Sequence, residues 1–167
     1  MRLYDAHNHL QDERLALHLD AIVSALNDVD IFRMVVNGSC EEDWQSVLDL
    51  GKRLSPVVVP SFGYHPWYVG ERTKDWQGNL ARMLDASNGA IGEIGLDKWI
   101  LEPGRAESLN LKSVASLAEQ EDVFVWQLRL AAKRNLPVSI HCIQAWGPLL
   151  NILEREKLPK CGFLLHS

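Results

Sequence analysis

The sequence has little cysteine: Cys40, Cys142 and Cys161 are scattered through 167 residues and none has Cys-x-x-Cys spacing. That pattern gives no disulfide framework, and reduced thiols in a cytoplasmic protein are the simplest reading. Long apolar runs are missing too. No stretch of about 18 apolar residues occurs, so no transmembrane helix is indicated. The opening Met-Arg-Leu-Tyr-Asp-Ala-His lacks the apolar core of a secretory signal. Basic charge is in deficit: 17 Lys and Arg stand against 22 Asp and Glu, a net charge of −5. Proteins that hold nucleic acid by charge alone are usually basic, which counts against a general DNA-binding module. A chain of this charge that handled a phosphodiester would draw its local attraction from bound cations. Neither a G-x-G-x-x-G after the first strand nor a G-x-x-x-x-G-K-[ST] is present, which speaks against the nucleotide-binding open sheets. There is no internal repeat and no low-complexity linker.

What is present is 47% apolar and 23% charged residues, as expected for one globular domain over residues 1–167. Short apolar runs alternate with amphipathic stretches. Strands are expected at residues 2–6, 32–36, 57–62, 90–94, 137–141 and 162–165. Helices are expected at 12–27, 42–54, 75–84, 105–120, 122–134 and 146–156. In the first of these Leu15, Leu19, Ile22, Val23 and Leu26 recur at helical spacing. The helix at 122–134 stops at Asn135 with Pro137 just beyond. Strand–helix alternation implies βα units and a parallel sheet, either a closed barrel or a doubly wound open sheet. A sixth strand ends on the last residues, where a parallel strand still needs a covering helix. A TIM barrel has eight βα units in roughly 250 residues. The chain therefore reads as an α/β barrel with about six of those units, cut at its C-terminus.

Four strand ends carry chemistry. In Asp5-Ala6-His7-Asn8-His9 the two histidines are two apart and share one face of an extended chain. In Ile91-Gly92-Glu93-Ile94-Gly95-Leu96-Asp97 a carboxylate sits among apolar and glycine residues, a costly place unless it is paired or binds a cation. Val138-Ser139-Ile140-His141 and Phe163-Leu164-Leu165-His166 are apolar strands that each end in histidine. Taken singly, each has an ordinary explanation: a surface histidine, a salt-bridged glutamate, a packed core histidine. Three strands ending in histidine and one in glutamate make coincidence a poor account. Imidazole and carboxylate without thiolate suit Zn²⁺, Mn²⁺ or a similar ion. Two ions about 3.5–4 Å apart would activate water and steady a leaving oxygen. His65, in Gly63-Tyr64-His65-Pro66-Trp67, could contact substrate, and Asp97 could orient a ligand or cap a turn. His18 reads as solvated. Cys142 faces away from its neighbour His141, which excludes a Cys–His nucleophile pair. The six tryptophans read as core and lid packing.

These segments, in order, resemble the TatD family of metal-dependent deoxyribonucleases, within the amidohydrolase-like barrels. Also matching are Phe124-x-x-Gln127-Leu128-x-Leu130-Ala131, Leu136-Pro137-Val138-x-Ile140-His141 and Leu165-His166-Ser167, so the likeness runs from the first residues to the last. The resemblance implies a TIM barrel with two divalent ions (Zn, Mn or Mg) and hydrolysis of phosphodiesters, often as a 3'-5' exonuclease on DNA. It implies His7 and His9 on one metal, His141 and His166 on the other, and Glu93 bridging. It implies Glu93 and His65 as catalytic groups, with His65 and Asp97 toward the substrate. Two places differ from the family pattern. Ile143 stands where an arginine is usual, and the late-strand aspartate of a Glu-Thr-Asp-type segment has no counterpart. The alternatives are an amidohydrolase acting on C–N bonds and a truncated barrel that binds metal without turnover. An open barrel would expose sheet edges, so self-association is expected.

Overall fold

Six apolar runs form one parallel sheet in which strand order equals chain order: β1 (Leu3–Asn8), β2 (Ile31–Asn37), β3 (Val58–Phe62), β4 (Ala90–Asp97), β5 (Val138–Ile143) and β6 (Phe163–His166). The computed structural model describes residues 1–166; Ser167, the last residue of the Leu165-His166-Ser167 segment, lies outside the described residues. Equal order means that every crossover steps the same way, so the sheet curls and its helices collect on the outside. A doubly wound sheet would reverse direction near its middle. The curl is visible at the strand ends, where the rings of His7 on β1 and His166 on β6 lie 4.0 Å apart. The fold is α/β of the TIM-barrel type, with about six of the eight units.

The helices are α1 (Leu19–Asp28), α2 (Glu41–Arg53), α3 (Trp76–Asp85), α4 (Arg105–Ser108), α5 (Leu117–Arg134) and α6 (Trp146–Arg155). Helix α2 carries Glu41, Glu42 and Asp43 in its first turn and Lys52 and Arg53 in its last, which complements its dipole. It buries Trp44, Val47 and Leu48 against the sheet. Each large apolar side chain so buried contributes about 1.5–3 kcal/mol. Strand β4 is buried at every position because it has neighbours on both sides, whereas Phe163, Leu164 and Leu165 on edge strand β6 stay exposed.

The structure corrects three expected elements. Residues 105–120 are not one helix: Arg105–Ser108 is a single short turn separated from α5, Asn110 takes a left-handed φ of 55°, and the Lys112 N–H is taken by Glu71. Helix α5 starts at Leu117 rather than 122, because Ser116 and Glu119 form a reciprocal capping box. The stretch at 12–27 opens as a 3₁₀ turn (Glu13–His18), with the Asp12 carboxylate accepting the Arg14 N–H, before α1 begins. Strand β4 also runs to Asp97, so Glu93 lies within it rather than at its end.

Candidate metal centre

Register brings the first histidines together. Gly95, His141 and His166 are neighbours across β4, β5 and β6. The approach of β4 to β5 is close: a Cβ at Gly95 (φ 148°) would lie 2.0 Å from the His141 carbonyl oxygen, so only glycine fits. Glu93, two residues earlier on β4, points to the same interior, and β1 delivers His7 and His9 from the far side.

Glu93 is 2% exposed, and its two oxygens divide the histidines between them. Oε2 lies 3.2 Å from His7 Nε2 and 3.2 Å from His9 Nε2. Oε1 lies 2.9 Å from His141 Nδ1, 2.5 Å from His166 Nε2 and 3.5 Å from His65 Nε2. Burial pushes the Glu93 carboxyl up, but the imidazoles of His141, His65, His7 and His9 around it hold it well below the usual carboxylate range. The hydrogen bond to Glu93 raises His9, against the effect of burial. His65 goes the other way: burial lowers it and keeps the ring neutral.

The partners of the opposite ring nitrogens sort the histidines. His9 Nδ1 donates to the main-chain carbonyl of Asn37 at 2.8 Å, which turns Nε2 toward Glu93. His141 Nε2 donates to Asp97 Oδ2 at 3.0 Å, which turns Nδ1 toward Glu93. His65 Nδ1 accepts the Trp67 N–H at 3.2 Å, so its neutral ring carries the proton on Nε2 and acts as a donor. Two trios bring ligand atoms within 4.8 Å of one another: His7, Glu93, His166 and His65, Glu93, His141. Its tautomer makes His65 a poor ligand in the second. Among the described residues, the buried His7 Nε2 lacks an aligned hydrogen-bond partner. An orphaned imidazole nitrogen beside a shared carboxylate fits a divalent cation.

A family profile described as TatD related DNase matches residues 4–167. The chain belongs to the TatD family. It is 27% identical to human "Deoxyribonuclease TATDN3", over 99% of this chain and 60% of that protein. It is 26% identical to the "3'-5' ssDNA/RNA exonuclease TatD" of Pantoea ananatis, over 95% of this chain and 56% of that protein. The crystal structure of YJJV, a TatD homologue from Escherichia coli, superposes with a TM-score of 0.77 at 25% identity, covering 95% of this chain and 57% of that one. The chain spans about three fifths of the length of the human relative.

In this TatD-family chain the cluster opens into a cavity of about 690 Å³, lined by His9, His65, Glu93, His141 and His166. Ile143 lines it too, where the family pattern has arginine. Arg14 reaches the rim, but its guanidinium is paired with Asp12. A second cavity of about 480 Å³, at the opposite end of the strands, is lined by no histidine or carboxylate.

Six of the singled-out side chains thus converge: His7, His9, His65, Glu93, His141 and His166. Asp97, expected toward the substrate, is not among the residues lining the cavity. It is fully buried, and its oxygens accept from His141 Nε2, Trp67 Nε1 (2.7 Å) and the Ile100 N–H (3.0 Å). Asp97 both orients a histidine and caps a turn. Burial raises its carboxyl, and the bonds from His141, Trp67 and Ile100 more than offset that. Sequence reasoning missed Asn37, Ser139 and Gln120, all buried. Asn37 and Ser139 each follow an apolar residue of a strand, the one signal available; Gln120, between Glu119 and Glu121, gave none.

No helix among the described residues is long and apolar enough to cross a membrane.

Proposed function

We propose that this chain is a metal-dependent hydrolase of phosphodiester bonds that works on DNA, with the 3'-5' exonuclease polarity for which its bacterial relatives are named. The observation that carries this reading is the division of Glu93: one oxygen serves His7 and His9, the other His141 and His166. A bridging carboxylate between two histidine pairs suits two divalent ions, Zn²⁺, Mn²⁺ or Mg²⁺. Cations so held supply Lewis acidity, which activates water and stabilises the leaving oxygen. The chain's own residues do the rest. Glu93 keeps its negative charge at neutral pH and sets the spacing of the two pairs. Asp97 holds His141 from behind. His65, neutral and carrying its proton on Nε2, donates a hydrogen bond toward a phosphate oxygen in the cavity. With Ile143 in the arginine position and Arg14 engaged, His65 is the chain's own donor for the phosphate, and bound cations would supply the remaining attraction.

Residues 1–167 act as one hydrolase domain of a cytoplasmic protein. Self-association covers the open edges β1 and β6.

The test is hydrolysis of end-labelled single-stranded DNA by the 167-residue chain with Mg²⁺, Mn²⁺ or Zn²⁺, beside a His7→Ala/His9→Ala control. Metal-dependent shortening from the 3' end, lost in the control, is the expected result. Metal binding without cleavage would overturn the activity and leave a metal-binding barrel fragment.

A further inference from the structure

The two histidines on the Oε2 side of Glu93 are both held by one residue that is not a ligand. Asn37 is the last residue of β2 and is fully buried. Parallel pairing of Asn8 with Val36 sets it beside the end of β1. Its main-chain carbonyl accepts His9 Nδ1 at 2.8 Å. Its side-chain amide lies 3.2 Å from His7 Nδ1, and Ser139 Oγ lies 2.8 Å from the same nitrogen.

We propose that Asn37 is the positioning residue that sets both His7 and His9 in the tautomer a divalent cation requires; the proposal rests on the metal-centre reading above. For His9 the argument is direct. A carbonyl only accepts, so Nδ1 carries the proton, and in the neutral ring that a cation would bind Nε2 is the lone-pair donor, 3.2 Å from Glu93 Oε2. For His7 the amide decides. With the amide nitrogen toward His7, Nδ1 must accept and Nε2 carries the proton; Asn37 Oδ1 then has no partner although it is buried. Amide oxygen and nitrogen fill the same volume, so the network chooses between them. Turning Oδ1 toward His7 gives that oxygen the Nδ1–H it lacks and exposes the Nε2 lone pair beside Glu93 Oε2. The turn gives up the amide nitrogen's 3.2 Å contact with His7 Nδ1 and its marginal 3.5 Å contact with the Val35 carbonyl. Ser139 Oγ accepts or donates and suits either state. The rotation gives Asn37 Oδ1 a partner at the expense of the amide nitrogen, and only the rotated state offers two imidazole lone pairs to one cation.

The experiment is Zn²⁺ and Mn²⁺ calorimetry on the chain and on Asn37→Ala and Asn37→Asp, with ¹⁵N ring spectra of the Zn²⁺-loaded unsubstituted chain. The expected results are His7 and His9 both protonated on Nδ1, and affinity about 10–100-fold weaker in Asn37→Ala. Asn37→Asp, which keeps an acceptor, should recover affinity to within a few-fold, with circular dichroism unchanged. His7 protonated on Nε2 in the loaded chain would overturn the proposal, and that reading needs no variant to fold. Unchanged affinity in Asn37→Ala would overturn it as well. Failure of the unsubstituted chain to bind either ion would instead sink the metal centre on which the proposal stands, a distinguishable outcome.

Discussion

His141 faces two carboxylates, Glu93 at Nδ1 and Asp97 at Nε2. Burial pulls its pKa down, but the hydrogen bonds to Asp97 and Glu93 prevail and raise it to about 9. The unfolded ring titrates near about 6.5. A raised pKa means that the folded state holds the proton more tightly, so the stabilisation is full below about 6.5 and is lost as pH rises through about 9. In EDTA, thermal midpoints should fall between those limits, by an amount on the order of a few kcal/mol in stability. Asp97→Asn should flatten that slope and bring the His141 titration, followed by NMR, down toward its ordinary value. A slope unchanged by the substitution would refute the pairing. At this scale the residues that converge were largely legible. Two histidines two apart on a strand must share a face, and a glutamate in an apolar run demands compensation. The role of Asp97 was not legible, because its distance from His141 is fixed across two strands that lie 44 residues apart in the chain.

Helix α5 is a clamp as well as a cover. Gln120 and Gln127 are seven residues apart, so they share a face, and both are fully buried. Gln127 accepts from the Tyr64 N–H at 2.7 Å and donates to the Tyr64 carbonyl at 3.3 Å, beside His65. Gln120 does the same for Asp97, at 2.8 and 3.1 Å. One helix thus fixes a loop and a strand end that carry site residues. Gln120→Ala leaves a buried N–H and a buried carbonyl without partners, each worth about 1–3 kcal/mol. We expect a loss of about 2–5 kcal/mol in urea unfolding, and the His141 titration should shift with the displaced Asp97. An unfolding midpoint equal to that of the parent chain would show that the clamp does not bear on stability. The sequence carried the start of this helix in Ser116 and Glu119, yet apolar spacing upstream suggested a helix where the chain turns. Periodicity reports which faces are apolar; it does not report that Asn110 bends left-handed or that Glu71 takes the Lys112 N–H.

The sheet as a whole has two edges, β1 and β6, and both carry exposed apolar side chains: Leu3 and Tyr4 on one, Phe163, Leu164 and Leu165 on the other. Unpaired strand edges with apolar faces are templates for further pairing. Sedimentation velocity should show a dimer or larger species, and Leu164→Lys, which puts charge on the β6 edge, should shift it toward monomer. A clean monomer of the parent chain would refute the association. The sequence by itself determined the α/β alternation, the parallel sheet and the types of residue gathered at its strand ends, because each follows from local spacing and from the cost of burying charge. The family resemblance implied the barrel and the bridging Glu93; the tertiary structure alone decided that Oε2 faces His7 and His9 while Oε1 faces His141, His166 and His65. It alone decided which ring nitrogen each histidine presents. Those outcomes depend on register between strands and on hydrogen-bond partners far apart in the chain, and no local pattern encodes them.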